Sequence, residues 1–173
     1  MELLGGYRFF FPESVAKRLG ISREIFIPNT VVDVGKEQFL RAVTRDEDMG
    51  LTGGPPTEFH IGLCNQAPVE ADTLVSITTE PTVTFGYARK VVERNSTGWP
   101  TIDEVNGQKR ATSKVLTFTA SGGDFSASFT RAFLCSVSTG TVGNLFSYSG
   151  PLTVPIAILD GESFAMQYEL YFR

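Results

Sequence analysis

His60 is the only histidine in this 173-residue chain, and it stands four residues before Cys64, one of two cysteines. A thiol and an imidazole are the parts of a nucleophile–base pair, which has to lie within hydrogen-bond reach. Both belong to Glu58-Phe59-His60-Ile61-Gly62-Leu63-Cys64, where Phe59, Ile61 and Leu63 alternate as on one face of a strand. Four residues of extended chain span about 13 Å, so His60 and Cys64 share a face without touching. The spacing predicts a half-buried histidine among cross-strand neighbours. Cys135 is far along the chain, and there is no Cys-x-x-Cys pair or second histidine to complete a zinc set. Both cysteines read as reduced small hydrophobes; a disulfide between them would need a fold that brings their strands together.

The remaining chemistry-bearing groups are sparse. Asp46-x-Asp48-x-Gly50 partly matches a calcium loop but lacks the third acidic ligand and the bidentate glutamate, so it reads as a solvated turn. Gly53-Gly54 and Gly122-Gly123 lack the Lys-Ser/Thr or the helix of a phosphate loop. Ser121-Gly122-Gly123-Asp124 reads instead as a hairpin turn. The acid pairs Asp103-Glu104 and Asp160 with Glu162 have no cleft or aromatic platform in the sequence to make them glycosidase carboxylates. Asn95-Ser96-Thr97 matches a glycosylation acceptor, but no secretory signal accompanies it. Arg89-Lys90 with Arg94, and Lys109-Arg110 with Lys114, read as solvated strand ends, because 15 Lys and Arg stand against 19 Asp and Glu. A net charge of −4 argues against a nucleic-acid partner. No catalytic residue, metal site or cofactor is expected, and the chain reads as a non-enzyme.

The elements that carry these residues divide the chain in two. Residues 1–56 read as an N-terminal arm or subdomain. Phe9-Phe10-Phe11 precedes a short helix, Pro12 to Leu19, with Pro at its start, acid in its first turn, bases in its last and Gly20 after it. Ile25-Phe26-Ile27 and Val31-Val32-Asp33-Val34 read as two strands split by Pro28-Asn29, and Lys36 to Val43 is ambiguous between helix and strand. Arg45-Asp46-Glu47-Asp48 and Gly53-Gly54-Pro55-Pro56 form a charged, turn-rich joint. Residues 57–173 then read as strands. After Glu58–Cys64 come Thr84 to Val92 (with Phe85, Tyr87 and Val91 aligned), Thr117-Phe118, Phe129 to Val137, Leu145-Phe146 and Val154 to Leu159. In a last, strictly alternating run, Phe164, Met166, Tyr168, Leu170 and Phe172 share a face. Short strands at this spacing predict an all-β, antiparallel, jelly-roll-like β-sandwich with the N-terminal arm appended.

Only seven residues from 111 to 173 are charged. Two readings fit that half: a protein–protein contact surface, or Ser and Thr populating the exposed faces of strands. Trp99-Pro100, in a polar loop, is either an interface anchor or a lid on the end of the sandwich. No stretch of about 18 apolar residues is present for a membrane-spanning helix, and the N-terminus has the look of neither a signal nor a transit peptide, so folding in a cytoplasm is expected.

Taken in order, His60-Ile61-Gly62-Leu63-Cys64-Asn65 with Ala67-Pro68, Thr79-Glu80-Pro81, Gly86-Tyr87-Ala88-Arg89, Ser96-Thr97-Gly98-Trp99-Pro100, and Leu145-Phe146-Ser147-Tyr148-Ser149 with Pro151-Leu152 resemble a family of tailed-bacteriophage virion proteins of the structural, tail-fibre or minor tail kind. The resemblance spans about residues 57–173. It implies a non-enzymatic β-sandwich building block of a virion, partnered by other virion proteins and by copies of itself. Within that reading the expectation is a capsid decoration protein anchored by the arm through Phe9, Phe10 and Phe11. The alternatives are a tail, neck or fibre-base adaptor and, from another class, a carbohydrate- or receptor-binding module with Trp99, Tyr87 and Tyr148 as stacking groups.

Overall fold

The computed structural model describes residues 3–33, 35–36 and 58–172. The segment 37–43, the Asp46-x-Asp48-x-Gly50 turn and the Gly53-Gly54-Pro55-Pro56 joint lie outside the described residues. The described residues are mostly antiparallel β, with a short helix near the start. In order run β1 (Leu3–Phe10), α1 (Glu13–Leu19), β2 (Glu24–Val31), β3 (Glu58–Cys64), β4 (Lys90–Glu93), β5 (Thr101–Val105) and β6 (Gln108–Thr112). After them come β7 (Leu116–Thr119), β8 (Arg131–Cys135), β9 (Leu145–Ser149) and β10 (Ser163–Phe172). Helix α1 has the ends expected of it: Pro12 stands at the N-cap, and Gly20 closes the C-terminus in the left-handed region at φ 66°, where a side chain would be strained.

All the strands join one antiparallel sheet in the order β4-β3-β8-β9-β2-β1-β10-β6-β5, with β7 also on β10. Strand β10 holds β1 along one edge. Its other edge takes β7 over residues 163–166 and then β6 over 169–171. The sheet curls until β4, at one end of the path, meets the β7 region. Across that seam Lys114 Nζ donates to both Glu93 oxygens at 2.8 and 2.7 Å, and Lys90 Nζ lies 5.4 Å from the centre of the Phe118 ring.

The curl encloses the core. Tyr7 and Phe9 of β1, Ile61 and Leu63 of β3, Phe118 of β7, Leu134 of β8, and Phe164 and Met166 of β10 belong to one buried cluster. Phe164 sits at its centre, with the Phe118 and Phe129 rings at 5.2 and 5.1 Å. Burial of such rings supplies about 1.5–3 kcal/mol each, the main driving term for the fold. A second cluster lies on the outer face of β3, β8 and β9, where Leu74 and Ile77 cover Phe133, Cys135, Leu145 and Tyr148. These strands are therefore buried on both faces, and burial runs along β8 from Ala132 and along all of β9 with no alternation. Where water reaches one face, alternation returns, as in β7.

The structure corrects several expectations. Residues 3–31 are not an arm hanging from the sheet, since β1 and β2 occupy its middle, between β9 and β10. Pro28-Asn29 does not split β2. The strand pairs with β1 as far as Pro28 and with β9 from Asn29, so the missing N–H falls where the ladder changes partner. Of Thr84 to Val92 only the end is strand, because Phe85 at φ 52° and Gly86 at φ 84° turn the chain. Val154 to Leu159 contributes one bridge, Phe129 to Ile156, rather than a strand. The β5–β6 hairpin, unanticipated, turns on Asn106-Gly107 with φ 52° and 76°, the pattern of a type I′ turn.

Candidate functional site

Among the described residues, one convergence of charged and titratable groups outside the sheet ladders is built on Arg89 and Glu80. Arg89 follows the Phe85-Gly86 turn and enters the molecule just before β4, its side chain only 3% exposed. All five of its N–H groups are committed. Nε and one terminal N–H donate to the two oxygens of Glu80 at 2.9 and 2.7 Å. The others donate to the carbonyls of Val137 and Gly140 at 3.0 and 2.8 Å and to Cys135 Sγ at 3.5 Å. The guanidinium also lies over the Phe133 ring, 5.2 Å from its centre. Burial works against the charge and Glu80 outweighs it, so the Arg89 pKa stands above its ordinary value. One side chain thus clasps the loop 80–89 to the loop 136–144.

Tyr87 ties the clasp to the core. Its ring stacks on Phe118 at 6.2 Å and meets Phe125 edge-on at 5.5 Å, while its hydroxyl accepts from Leu63 N at 3.0 Å and donates to Glu80 at 2.7 Å. Gly62 makes room for the arrangement: a Cβ there would strike the Phe133 ring and crowd Glu80. The clasp walls one side of a cleft of about 130 Å³ bordered by Pro81, Thr82, Val83, Ser138 and Thr139. Near its rim Phe85 is held in the left-handed region, strained for an aromatic residue. Its carbonyl accepts from Ser121 N at 2.9 Å, its ring rests against Gly123, and it remains 46% exposed.

His60 pairs across the strands with Cys135, a juxtaposition that spacing along β3 alone does not show. The pair is not set for nucleophilic chemistry. Burial pushes the Cys135 thiol up to about 11, and its Sγ donates to Val137 O at 3.3 Å. Burial also lowers the His60 pKa, against an opposing pull from Glu58, whose Oε1 is 3.2 Å from Nε2; Nδ1 is buried without a partner. Cys64 is pushed up to about 12 by burial. Both cysteines are free and buried. Cys64 stands opposite Arg131 and Cys135 opposite His60, a strand's length apart. Among the described residues no group of three or more His, Cys, Asp or Glu is placed to hold a metal.

The interface candidates read from sequence fall mostly inside. Phe9, Phe11, Tyr87 and Tyr148 are buried, the first three in the main core and Tyr148 in the second cluster. Phe10, the one of the aromatic triplet on the outer face, is half-buried in β1. Trp99 is half-buried, edge-on to Tyr168 at 6.0 Å, so it closes the core there. Phe9, Phe11, Tyr87 and Tyr148 therefore present no open surface to a partner, while Phe10 and Trp99 keep part of theirs. Sequence reading passed over Val83, 69% exposed beside Phe85, and Glu80 as the partner of Arg89. The signal available was Phe85-Gly86, an aromatic before a glycine that can mark a turn as well as a strand. Searches of protein-family models and of curated proteins return no match to this chain.

Proposed function

We propose that the chain is a non-enzymatic structural component of a tailed-bacteriophage virion, acting as a capsid decoration protein that docks on the shell through the loop end carrying Val83 and Phe85. The observation that carries this reading is an exposed apolar pair on a braced scaffold. Val83 and Phe85 stand out on a loop that the Glu80–Arg89 clasp, the Tyr87 hydroxyl and the Phe85–Ser121 hydrogen bond hold in one shape. A pre-ordered apolar knob loses little entropy on docking, which favours a contact repeated across a lattice. The ordered phrases from His60 to Leu152 supply the virion part of the reading. The curled sheet belongs to it as a jelly-roll-like sandwich whose two halves face each other across the Phe164 core.

The test is docking of the purified protein on empty shells. Val83→Asp with Phe85→Ala should abolish docking while the far-ultraviolet spectrum and melting temperature stay unchanged; retained docking would sink the loop-end surface. Copy number in purified virions separates head from tail. A ratio near that of the shell protein supports decoration, and a few copies per particle support a tail, neck or fibre-base adaptor. None at all removes the virion reading.

A further inference from the structure

Strand β5 ends the sheet path, and its outer edge is unpaired among the described residues. The two-residue turn at Asn106-Gly107 makes Val105 and Gln108 a hydrogen-bonded pair, and alternation along the ladder does the same for Asp103 with Arg110 and Thr101 with Thr112. The main-chain N–H and C=O groups of Ile102 and Glu104 therefore point out from the open edge. Natural edges are usually blunted by lysine, proline or a bulge. Thr101-Ile102-Asp103-Glu104-Val105 holds no lysine or proline, although Pro100 stands just before it. Its β5–β6 register is continuous, and its two charges are tied back to β6, Asp103 to Arg110 and Glu104 to Lys109. Ile102 is 77% exposed, and in register it continues a row formed by Leu170 and Ala111 on the core-side face of β10 and β6.

We propose that β5 is a homodimerisation edge, pairing antiparallel with β5 of a second copy about a two-fold axis at Ile102. A strand edge complements itself, since each outward N–H meets an outward C=O of its twin. Charge selects the register. Centring on Asp103 sets two aspartates face to face, and centring on Glu104 sets two glutamates so; like charges directly opposite are destabilising. Centring on Ile102 pairs the outward groups of the two Ile102 residues with each other and sets Glu104 opposite Pro100 of the other copy, whose carbonyl can accept from the Glu104 N–H though it has no N–H to return. It also places Asp103 opposite Thr101 and joins the two apolar rows through Ile102. The edge is five residues long, well short of the surface a permanent dimer buries, so the association is weak and concentration-dependent. It stands independently of the virion reading.

Sedimentation equilibrium over a wide concentration range tests the proposal. The mass should climb from 18.9 kDa toward twice that value. Ile102→Lys, an exposed position whose change leaves the spectrum of the folded chain unaltered, should hold the protein monomeric. Val115→Lys, at another exposed apolar residue, should leave the association intact. Under mild oxidation Ile102→Cys should cross-link to itself faster than Glu104→Cys, with the buried native thiols silent. A monomer at every concentration, a dimer that survives Ile102→Lys, or equal cross-linking of the two cysteine variants would each overturn it.

Discussion

The phenol of Tyr87 donates to Glu80 Oε1 at 2.7 Å, and through that bond a ring packed in the core steadies the largely buried Glu80–Arg89 ion pair. Tyr87→Phe removes the bond and leaves Leu63 N–H without its acceptor. The expected loss is about 2 kcal/mol, the penalty for an unsatisfied buried donor plus one charge-assisted bond. Tyr148→Phe is the control, since its hydroxyl makes no hydrogen bond among the described residues, and it should be nearly neutral. Urea unfolding midpoints of the two variants decide the matter.

Glu80→Ala strands the Arg89 guanidinium, which is almost fully enclosed. Glu80 is itself partly solvated, so the cost should sit near the lower end for a broken buried pair, about 3 kcal/mol. Glu104→Ala removes an exposed partner of Lys109 and should change stability by less than about 0.5 kcal/mol. Equal effects in thermal melts would show that the clasp has no special weight.

His60 makes stability depend on pH. Its folded pKa lies below the ordinary histidine value because burial disfavours the imidazolium, with Arg89 reinforcing and Glu58 opposing. Below about pH 6.5 the unfolded chain takes up a proton that the folded chain resists, so stability falls as pH drops through that window and levels off below the folded pKa. His60→Gln should flatten the decline between about pH 7 and pH 5. Parallel curves for the two proteins would contradict the assignment.

Cys64 and Cys135, pushed up to about 12 and about 11 by burial, should stay unmodified by a disulfide reagent in the native protein at about pH 8. Two thiols should titrate once the chain is unfolded. Fast native labelling of either would show that its strand opens readily.

Much of the fold is legible in the sequence, wherever a local signal coincides with its tertiary setting. The alternation from Phe164 to Tyr168 is that of a strand with one buried face, and Pro12 and Gly20 bound the helix as capping physics requires. Reading fails where distant packing decides. Phe9 and Phe11 look like an exposed anchor because their cover comes from Phe129 and Phe164, more than a hundred residues away. Tyr87 continues an apparent strand on paper, and the turn before it is closed by Tyr87 N donating to Thr84 O at 3.1 Å and by the contacts of Phe85 with Ser121 and Gly123, distant in sequence. The clasp was beyond reach for the same reason: Arg89 is an ordinary surface cation until the loop at 136–144 closes on it.

The pairing of Leu3–Phe10 with Ser163–Phe172 also bears on how the protein comes into being. The paired residues lie more than 150 positions apart in the chain, so a nascent chain on the ribosome holds β1 without β10 until that whole intervening stretch has been made. Loop closure over so long a stretch makes folding slow, and meanwhile Tyr7, Phe9 and the edges of β1 stand open to any chaperone or neighbouring chain.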